Sequence, residues 1–371
     1  MLMKQERVQS YISDPFLKKL ATALADSPPI RPAVVDLTHK CNLRCTGCYF
    51  FAEDMDRHKA PSKEADFDAF VAMEKARGTN YMTVVGGEPA LQLGRLRKLH
   101  QNFNILPYTN GAIPIPRGDG FEAMNIAISL WGGHETDTKL RGGGKQDVFA
   151  KSLENYRNDP RVVWYYTTTP GNAHEIMPVV KEIVANKNYI MFSFYEDHGN
   201  LGHKFDHRSG FAEVVREIEV ATAAYPEWIL TTAHLANVAT TNRLYDQSWG
   251  HAVCPVVSAD NPKNAERIRN GNAHSDHMRV YLPDLKTTRR CPVGEDHDCS
   301  ACYNVLARLT WIMINGEKHL GSVEEFEDWL TSSYMFHVFS GMIPREAARS
   351  TIPVIHERRA RRNVQHVQSA G

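Results

Sequence analysis

The stretch DLTHKCNLRCTGCYFF, residues 36–51, places Cys41, Cys45 and Cys48 within eight positions in the spacing C-x3-C-x2-C. Free cysteines in folded domains are few and usually buried, so packing does not account for such a cluster. Four thiolates close a structural zinc site or hold an iron–sulfur cluster, whereas three leave one metal position open. Zinc is disfavoured because no second ligand pair lies within zinc-finger range. The stretch therefore predicts a metal loop with an open position.

The loop follows the first of six short apolar runs, which alternate with segments of helical period. The strand candidates are residues 33–38, 81–86, 103–109, 124–131, 162–169 and 189–196. The helix candidates between several of them are residues 62–77, 90–101, 147–158 and 172–187. Such alternation indicates βαβ units and a parallel sheet. We predict an α/β fold, a partial (β/α)6 TIM-like barrel with an irregular C-terminal extension. In such barrels the chemistry lies at the carboxyl ends of the strands.

The chain divides into four expected parts. Residues 1–31 read as a helical leader that ends at prolines, residues 32–230 as the barrel core, residues 231–345 as the extension, and residues 346–371 as a basic tail. We expect the tail to be frayed, as short charged termini usually are. Within the later parts, residues 211–225 and 322–336 predict helices, residues 228–241 predict a strand followed by a loop, and residues 304–315 predict a strand or a buried helix.

The amino-acid composition limits the classes of protein to which this sequence can belong. The 371 residues contain 43 basic and 43 acidic side chains, a balance that argues against a dedicated nucleic-acid binder. No signal peptide and no apolar run long enough to span a membrane is apparent, so we expect a cytoplasmic protein with no membrane partner. Cysteines in that compartment are reduced, and seven locally clustered cysteines favour metal binding over a disulfide framework.

Three more motifs follow successive strand candidates. They are VVGGEP at residues 84–89, YTNG at residues 108–111 and ISLWGGHETDTKLRG at residues 128–142. Taken in order with C-x3-C-x2-C and the aromatic Tyr49 after it, they resemble the radical S-adenosylmethionine (radical SAM) superfamily. The resemblance covers roughly residues 33–200.

The resemblance implies an activity. In that superfamily the three cysteines bind a 4Fe–4S cluster, and the amino and carboxylate groups of S-adenosylmethionine chelate its fourth iron. Electron transfer from the cluster then cleaves the cofactor to methionine and a 5′-deoxyadenosyl radical, which abstracts hydrogen from a substrate. A reducing partner such as flavodoxin or ferredoxin and a small-molecule or peptide substrate would complete the system. Transfer of an adenosyl or 3-amino-3-carboxypropyl group is an alternative reaction, and a non-catalytic zinc-binding scaffold is the alternative from another class.

The resemblance also implies which residues contact the cofactor. The GGEP element would receive its ammonium group, Ser129 its ribose or carboxylate, and Arg141 its carboxylate, while the residues near Phe192 and Phe194 would line the adenine pocket. The full set of implied cofactor contacts is Tyr49, Gly86, Gly87, Glu88, Pro89, Thr109, Asn110, Ser129, Arg141 and Phe192.

Four further cysteines lie beyond the predicted barrel. Cys254, Cys291, Cys299 and Cys302 have the spacing C-x36-C-x7-C-x2-C, with His297 among the last three. The layout partly resembles the SPASM and twitch extensions of radical SAM enzymes, which bind auxiliary 4Fe–4S clusters. Four cysteines would ligate one cluster at most. A structural zinc and a site without metal remain alternatives, since C-x2-C also suits zinc.

The substrate-facing residues are predicted from position alone. Glu196, Asp197 and His198 follow the sixth strand candidate, at the barrel end where the chemistry is expected. We predict this polar run to face the substrate as catalytic groups.

Overall fold

The fold is described from a computed structural model, which describes residues 2–52, 54, 57, 63–195, 207–241, 243–244, 247–272, 275–295 and 298–369. Glu196, Asp197, His198 and His297 lie outside the described residues, so the predictions made for them stay predictions.

A parallel sheet forms the centre of the molecule. Its strands and those of a small hairpin are β1 Pro32–Asp36, β2 Tyr81–Val85, β3 Asn104–Thr109, β4 Ile126–Leu130, β5 Val162–Thr168, β6 Tyr189–Phe194, β7 Arg243–Leu244, β8 Gln247–Ser248 and β9 Arg279–Tyr281. The sheet has the order β6-β5-β4-β3-β2-β1-β9, and every neighbouring pair in it is parallel. The sheet is not closed, which confirms the predicted α/β class with six barrel strands in chain order.

Helices cover the sheet and precede and follow it. They are α1 Leu2–Tyr11, α2 Pro15–Asp26, α3 Tyr49–Ala52, α4 Glu64–Ala76, α5 Leu93–His100, α6 His134–Leu140, α7 Val148–Asn155, α8 Ile176–Ala185, α9 His207–Ala224, α10 Ala233–Thr241, α11 Ala265–Arg269, α12 Val305–Ile314, α13 Val323–Ser340, α14 Arg345–Ala348 and α15 Ile352–Ser369. Among the described helices, none has the length and apolarity that crossing a membrane requires.

The burial of the sheet explains the sequence pattern of its strands. All six residues of β6 are buried, and four of the six in β3 are buried as well. A strand covered on both faces reads as a continuous apolar run rather than as an alternation. The crossover helix α8 buries Ile176, Val179, Val180 and Ile183, which have helical spacing and face the sheet.

The extension contributes a strand to the barrel sheet. β9 pairs in parallel with β1, with Ala33 opposite Arg279 and Val35 opposite Tyr281. Sequence alternation did not indicate this pairing, because β9 has only three residues and stands far from β1 in the chain. β9 occupies what would otherwise be an open edge of the sheet beside the first cysteine loop.

The prediction for residues 228–241, a strand followed by a loop, is wrong for the loop, which is a helix. Only Ile229 makes a bridge, to Ile190, and the chain then forms α10. The Thr232 hydroxyl accepts a hydrogen bond from the Leu235 amide at 3.1 Å, which starts the helix at this point. The apolar residues of α10 are buried at helical spacing: Leu235, Ala236, Val238 and Ala239. For residues 304–315 the sequence allowed either a strand or a buried helix. The structure forms the helix α12 there, and Asn304 is its N-cap residue.

The expectation of a frayed basic tail is also wrong, because α15 continues to Ser369. Its arginines meet acidic residues of α13: Arg358 bonds Glu327 at 2.7 Å, and Arg359 and Arg362 bond Asp328 at 2.8 and 2.6 Å. Basic composition alone suggested a solvated tail, whereas partners about 30 positions away in the chain hold it as a helix.

One histidine side chain links α6, the start of α7 and α8. His134, the first residue of α6, contacts Asp147 at 2.8 Å through Nδ1 and Glu182 at 2.9 Å through Nε2. Partial burial acts to lower the pKa of His134, but its hydrogen bonds to Glu182 and Asp147 outweigh burial and raise that pKa.

The raised pKa of His134 predicts a pH-dependent contribution to stability. The contribution should be complete below the unfolded-state pKa of about 6.5 and lost as pH rises through the higher folded-state pKa. His134→Gln should therefore lower the free energy of unfolding more at about pH 5.5 than at about pH 8.5, with a difference below about 1 kcal/mol because the pair is half exposed. Urea unfolding at the two pH values measures this, and an equal loss at both would contradict it.

Candidate active site

A cavity of about 260 Å³ opens at the carboxyl edge of the sheet. Cys41, Cys45 and Cys48 all line it, together with residues that follow β2, β3 and β4. The extension supplies another wall through Pro292, Val293, Asn304 and Leu306. The first cysteine set therefore faces an open cavity that is lined by both the barrel and the extension.

The cysteine loop is anchored by backbone hydrogen bonds on two sides. On one side the amides of Gly87 and Glu88 donate to the carbonyls of Thr38 and Lys40, at 2.9 and 2.8 Å. On the other side the Thr46 amide donates to the carbonyl of Leu140 at 2.7 Å. The loop thus lies between the GGEP turn and the end of α6.

The glycines of GGEP permit this close approach. Gly86 has a φ of +114°, a conformation that side chains disfavour, and a Cβ there would lie 2.6 Å from the carbonyl oxygen of Thr38. A Cβ on Gly87 would overlap the carbonyl of Lys40 and lie 2.9 Å from the amide nitrogen of Cys41. The turn therefore requires glycine at both positions for the cysteine loop to pack against it.

The three thiols of the loop lie in a poorly solvated environment. Burial raises the pKa of Cys41 to about 11 and that of Cys48 to about 12. Burial also raises the pKa of Cys45, although the neighbouring Arg141 guanidinium acts in the opposite direction. The metal-free thiols are therefore protonated near neutral pH, and binding of a metal must displace their protons.

Glu88 joins the ends of two strands. Its Oε1 accepts hydrogen bonds from the Thr109 hydroxyl at 2.7 Å and the Ala90 amide at 2.9 Å, and its Oε2 accepts from the Asn110 amide at 2.8 Å. Burial raises the pKa of Glu88, and these hydrogen bonds oppose the increase. A carboxylate offers about four acceptor positions, so the side chain retains capacity for one more donor from the cavity.

Arg141 lies beside the cysteine loop and is buried. Its guanidinium donates to Asp137 Oδ1 at 3.0 Å and to the carbonyl of Asn110 at 2.9 Å, and it contacts the Cys45 thiol. Sequence reasoning did not select Asp137, although its spacing of four from Arg141 was the available signal. Asp137 Oδ1 also accepts from the Trp131 amide at 3.3 Å, so this pair holds the segment after β4 against the cavity.

The predicted cofactor contacts fall into two groups. Those that line the cavity are Tyr49, Gly86, Gly87, Glu88, Asn110, Ser129 and Arg141. Among the described residues, Pro89, Thr109 and Phe192 lie outside the cavity wall: Pro89 begins a short 3₁₀ helix, Thr109 bonds Glu88, and Phe192 packs against Tyr166. Phe194, two positions beyond Phe192, lines the cavity instead, because it is the last residue of β6 and lies at the carboxyl end of the strand, where the cavity opens.

Aromatic and hydroxyl side chains that sequence reasoning did not select complete the wall. The Tyr108 and Tyr165 rings meet edge to face with centroids 5.1 Å apart, and the Trp131 and Tyr195 rings do the same at 5.1 Å. The buried Tyr108 hydroxyl has no hydrogen-bond partner among the described residues. Some of these wall residues occupy strand positions, and others follow a strand end. They are Thr83, Tyr108, Trp131, Tyr165, Thr167, Ser193 and Tyr195.

The second cysteine set meets at a smaller cavity of about 20 Å³. Cys254, Cys291, Cys299 and Cys302 all line it, although Cys254 is remote in the chain. Pro292, Val293 and Asn304 line both cavities, so one thin wall separates the two cysteine sets.

Arginines surround the second set. Arg290 donates to the Cys299 sulfur, Arg267 to the carbonyl of Cys254, and Arg308 to the carbonyl of Cys302. These cations would balance the negative charge of four thiolates bound to a metal or cluster.

All seven cysteines lie in the described ranges, and each is a thiol rather than half of a disulfide. Within the described part of the chain, no three His, Cys, Asp or Glu side chains are grouped so that they could hold a metal ion as they stand. Metal binding at either set would therefore draw the thiols together from these positions.

The close approach at Gly87 predicts a specific sensitivity. Gly87→Ala should lower the free energy of unfolding by about 1–3 kcal/mol, because the added Cβ overlaps backbone atoms of Lys40 and Cys41 that cannot rotate away. Gly94→Ala, in α5, is the matched control, since a Cβ there has no neighbour within 4 Å and the change should be neutral or stabilising. Urea unfolding of both variants measures the difference, and equal stabilities would contradict the prediction.

No protein-family model and no curated protein sequence matches the chain. Solved structures that are similar include SuiB from Streptococcus suis bound to S-adenosylmethionine, at 15% identity over 53% of this chain and 47% of SuiB, with a TM-score of 0.41. The chain thus spans about half the length of SuiB. Native anSMEcpe with bound AdoMet and Cp18Cys peptide is 16% identical over 72% of this chain and 74% of its own, with a TM-score of 0.47. The FeFe-hydrogenase maturase HydG from Carboxydothermus hydrogenoformans is 10% identical over 92% of this chain and 85% of its own, with a TM-score of 0.40. SuiB and anSMEcpe were both solved with S-adenosylmethionine (AdoMet) bound.

Proposed function

We propose that this chain is a radical SAM iron–sulfur enzyme that acts on a small-molecule or peptide substrate. Cys41, Cys45 and Cys48 would hold a 4Fe–4S cluster whose remaining iron binds S-adenosylmethionine. When bound, the two groups supply reductive cleavage of the cofactor and a 5′-deoxyadenosyl radical for hydrogen abstraction. The observation that supports the proposal most directly is that the three thiols open onto the same cavity as Glu88 and Arg141.

The polar groups at that cavity suit the two charged ends of an amino acid. The buried Glu88 carboxylate has capacity for one more donor and attracts an ammonium group. The Arg141 guanidinium attracts a carboxylate, and it is held at the cavity by Asp137 and the Asn110 carbonyl. Ser129 offers a hydroxyl to either a carboxylate or a ribose.

The remaining walls suit a reactive step that must exclude water. Trp131, Phe194 and Tyr195 present ring surfaces on which an adenine base would stack. Val293 and Leu306 of the extension add apolar surface to the cavity wall. The Tyr108 hydroxyl, for which the described part of the chain offers no hydrogen-bond partner, is available to orient a polar group of the substrate.

The core and the extension would have different roles. The core at residues 32–230 would carry the radical chemistry, and the extension at residues 231–345 would close the cavity and hold a second 4Fe–4S cluster or zinc at its four cysteines. A carrier such as flavodoxin or ferredoxin in the cytoplasm would supply the electron. The Glu196, Asp197 and His198 run would face the substrate.

Anaerobic reconstitution tests the metal assignment. With iron and sulfide the protein should develop a broad absorbance near about 400 nm, as expected of thiolate-ligated iron–sulfur clusters. The Cys41/Cys45/Cys48 triple Ala variant should lose the cluster that responds to S-adenosylmethionine. The iron content of this variant and of the matched Cys291/Cys299/Cys302 triple Ala variant should show how much iron each cysteine set binds. A colourless protein that takes up only zinc would instead support the zinc scaffold.

Turnover tests the reaction class. The reconstituted protein with dithionite and S-adenosylmethionine should release 5′-deoxyadenosine, measured by chromatography, and the Cys41/Cys45/Cys48 variant should release none. Methylthioadenosine as the only nucleoside product would overturn the adenosyl-radical proposal in favour of 3-amino-3-carboxypropyl transfer.

A further inference from the structure

The dipeptide Arg289-Arg290 lies between the two cysteine sets. It directly precedes Cys291, and its two side chains contact different parts of the molecule. Arg289 reaches the first cysteine loop, whereas Arg290 reaches the second set. One pair of neighbouring residues therefore contacts both candidate metal sites.

The Arg289 side chain contacts the barrel core. Its Nη2 donates to Asp36 Oδ1 at 3.0 Å, and the two side chains are only 2% and 0% exposed. Asp36 is the last residue of β1, directly before the cysteine loop. The guanidinium also lies 5.8 Å from the centroid of the Tyr49 ring, and Tyr49 directly follows Cys48. Arg289 thus contacts the residues that flank the loop at both of its ends.

The Arg290 side chain is held by the second cysteine set. Its guanidinium donates to the Cys299 sulfur and, at 3.1 Å, to the carbonyl of Glu295. Its own carbonyl accepts a hydrogen bond from the Ser258 amide at 2.7 Å. These contacts tie the turn that carries Cys291 to the segment that carries Cys299.

The backbone of the dipeptide has little freedom to absorb movement. The Arg289 amide donates to the carbonyl of Val280 in β9, at 2.9 Å, and β9 is paired with β1. Consecutive Cα atoms lie about 3.8 Å apart, so a shift of Arg290 is transmitted to Arg289. A buried ion pair resists such a shift strongly, because separation leaves an uncompensated charge in the interior.

We propose that Arg289 is a positioning residue that couples the two cysteine sites. Closure of the second set around its ligand would hold Arg289 against Asp36 and Tyr49, and so hold the first cysteine loop in place over the cavity. The coupling acts in both directions, since the same contacts transmit movement from the first loop to the second set. The part of this inference that concerns metal centres rests on the proposed function. The mechanical link between the two cysteine sets does not require a bound metal.

Thiol alkylation in the metal-free protein tests the link. Iodoacetamide labelling, resolved by peptide mass, reports the opening of each cysteine environment separately. Asp36→Asn should speed alkylation not only of Cys48 but also of Cys291 and Cys299, by about tenfold or more, because the change releases Arg289. Arg290→Met should likewise speed alkylation of Cys48 as well as of Cys299. If each variant affects only the cysteines of its own set, the coupling is overturned.

Arg267→Met is the matched control. Arg267 also contacts the second set, at the carbonyl of Cys254, but among the described residues it forms no hydrogen bond with the Arg289-Arg290 dipeptide. The change should speed alkylation of Cys254 and leave that of Cys48 as in the unaltered protein. An equal effect on Cys48 would mean that any loss at the second set loosens the first, and would overturn the specific role of Arg289.

A double variant distinguishes the loss of the Arg289–Asp36 ion pair from a general loss of stability. Asp36→Leu combined with Arg289→Met replaces the buried charges with apolar groups, a change that often preserves stability. It should unfold at a urea concentration near that of the unaltered protein, yet still show faster alkylation of Cys48, because the contact with Tyr49 is lost. Full restoration of protection at Cys48 would overturn the proposal.

A spectroscopic measurement extends the test to the reconstituted protein. In a Cys291/Cys299/Cys302 triple Ala background only the first set can hold a cluster, and Arg289→Met should change the electron paramagnetic resonance spectrum of that reduced cluster. An unchanged spectrum would overturn the role of Arg289 at the first site. Failure of the unaltered protein to form any cluster would contradict the proposed function alone, since the alkylation experiment needs no iron.

Discussion

The candidate site depends on one close approach of two backbone segments, the GGEP turn after β2 and the first residues of the cysteine loop after β1. Two hydrogen bonds, from Gly87 to Thr38 and from Glu88 to Lys40, join them, and there is no room for a side chain at Gly86 or Gly87. The turn that receives the loop also places the Glu88 carboxylate at the ends of β2 and β3. The position of the thiols and the position of the main anionic group in the cavity therefore follow from the same contact.

The cavity combines few charges with much aromatic and hydroxyl surface. Glu88 and Arg141 are both buried and both already engaged, by Thr109 and Asn110 in one case and by Asp137 in the other. Groups fixed in this way cost little further ordering when a ligand binds, which favours a defined ligand orientation. Rings such as Trp131 and Tyr195 exclude water around them, which strengthens the electrostatic interactions of the buried groups.

The extension is integrated with the barrel rather than appended to it. β9 pairs with β1, Arg289 forms a buried ion pair with Asp36, and Pro292 and Val293 line both cavities. The tail helix α15 in turn is held against α13 through Arg358, Arg359 and Arg362. The second cysteine set is thus connected to the first through packed, hydrogen-bonded structure.

The sequence by itself determined the six barrel strands and the position of the cysteine loop, because continuous apolar runs and local motif spacing are properties of neighbouring residues. It also indicated the GGEP turn, since glycines beside a carboxylate are a local signal. Only the tertiary structure decided that Phe194 rather than Phe192 faces the cavity, that residues 233–241 form a helix and that the basic tail is ordered. It likewise decided that β9 joins β1 and that Asp137 and Arg289 lie beside the site. These features arise from contacts between residues far apart in the chain, so no local pattern could show which partner each side chain would meet.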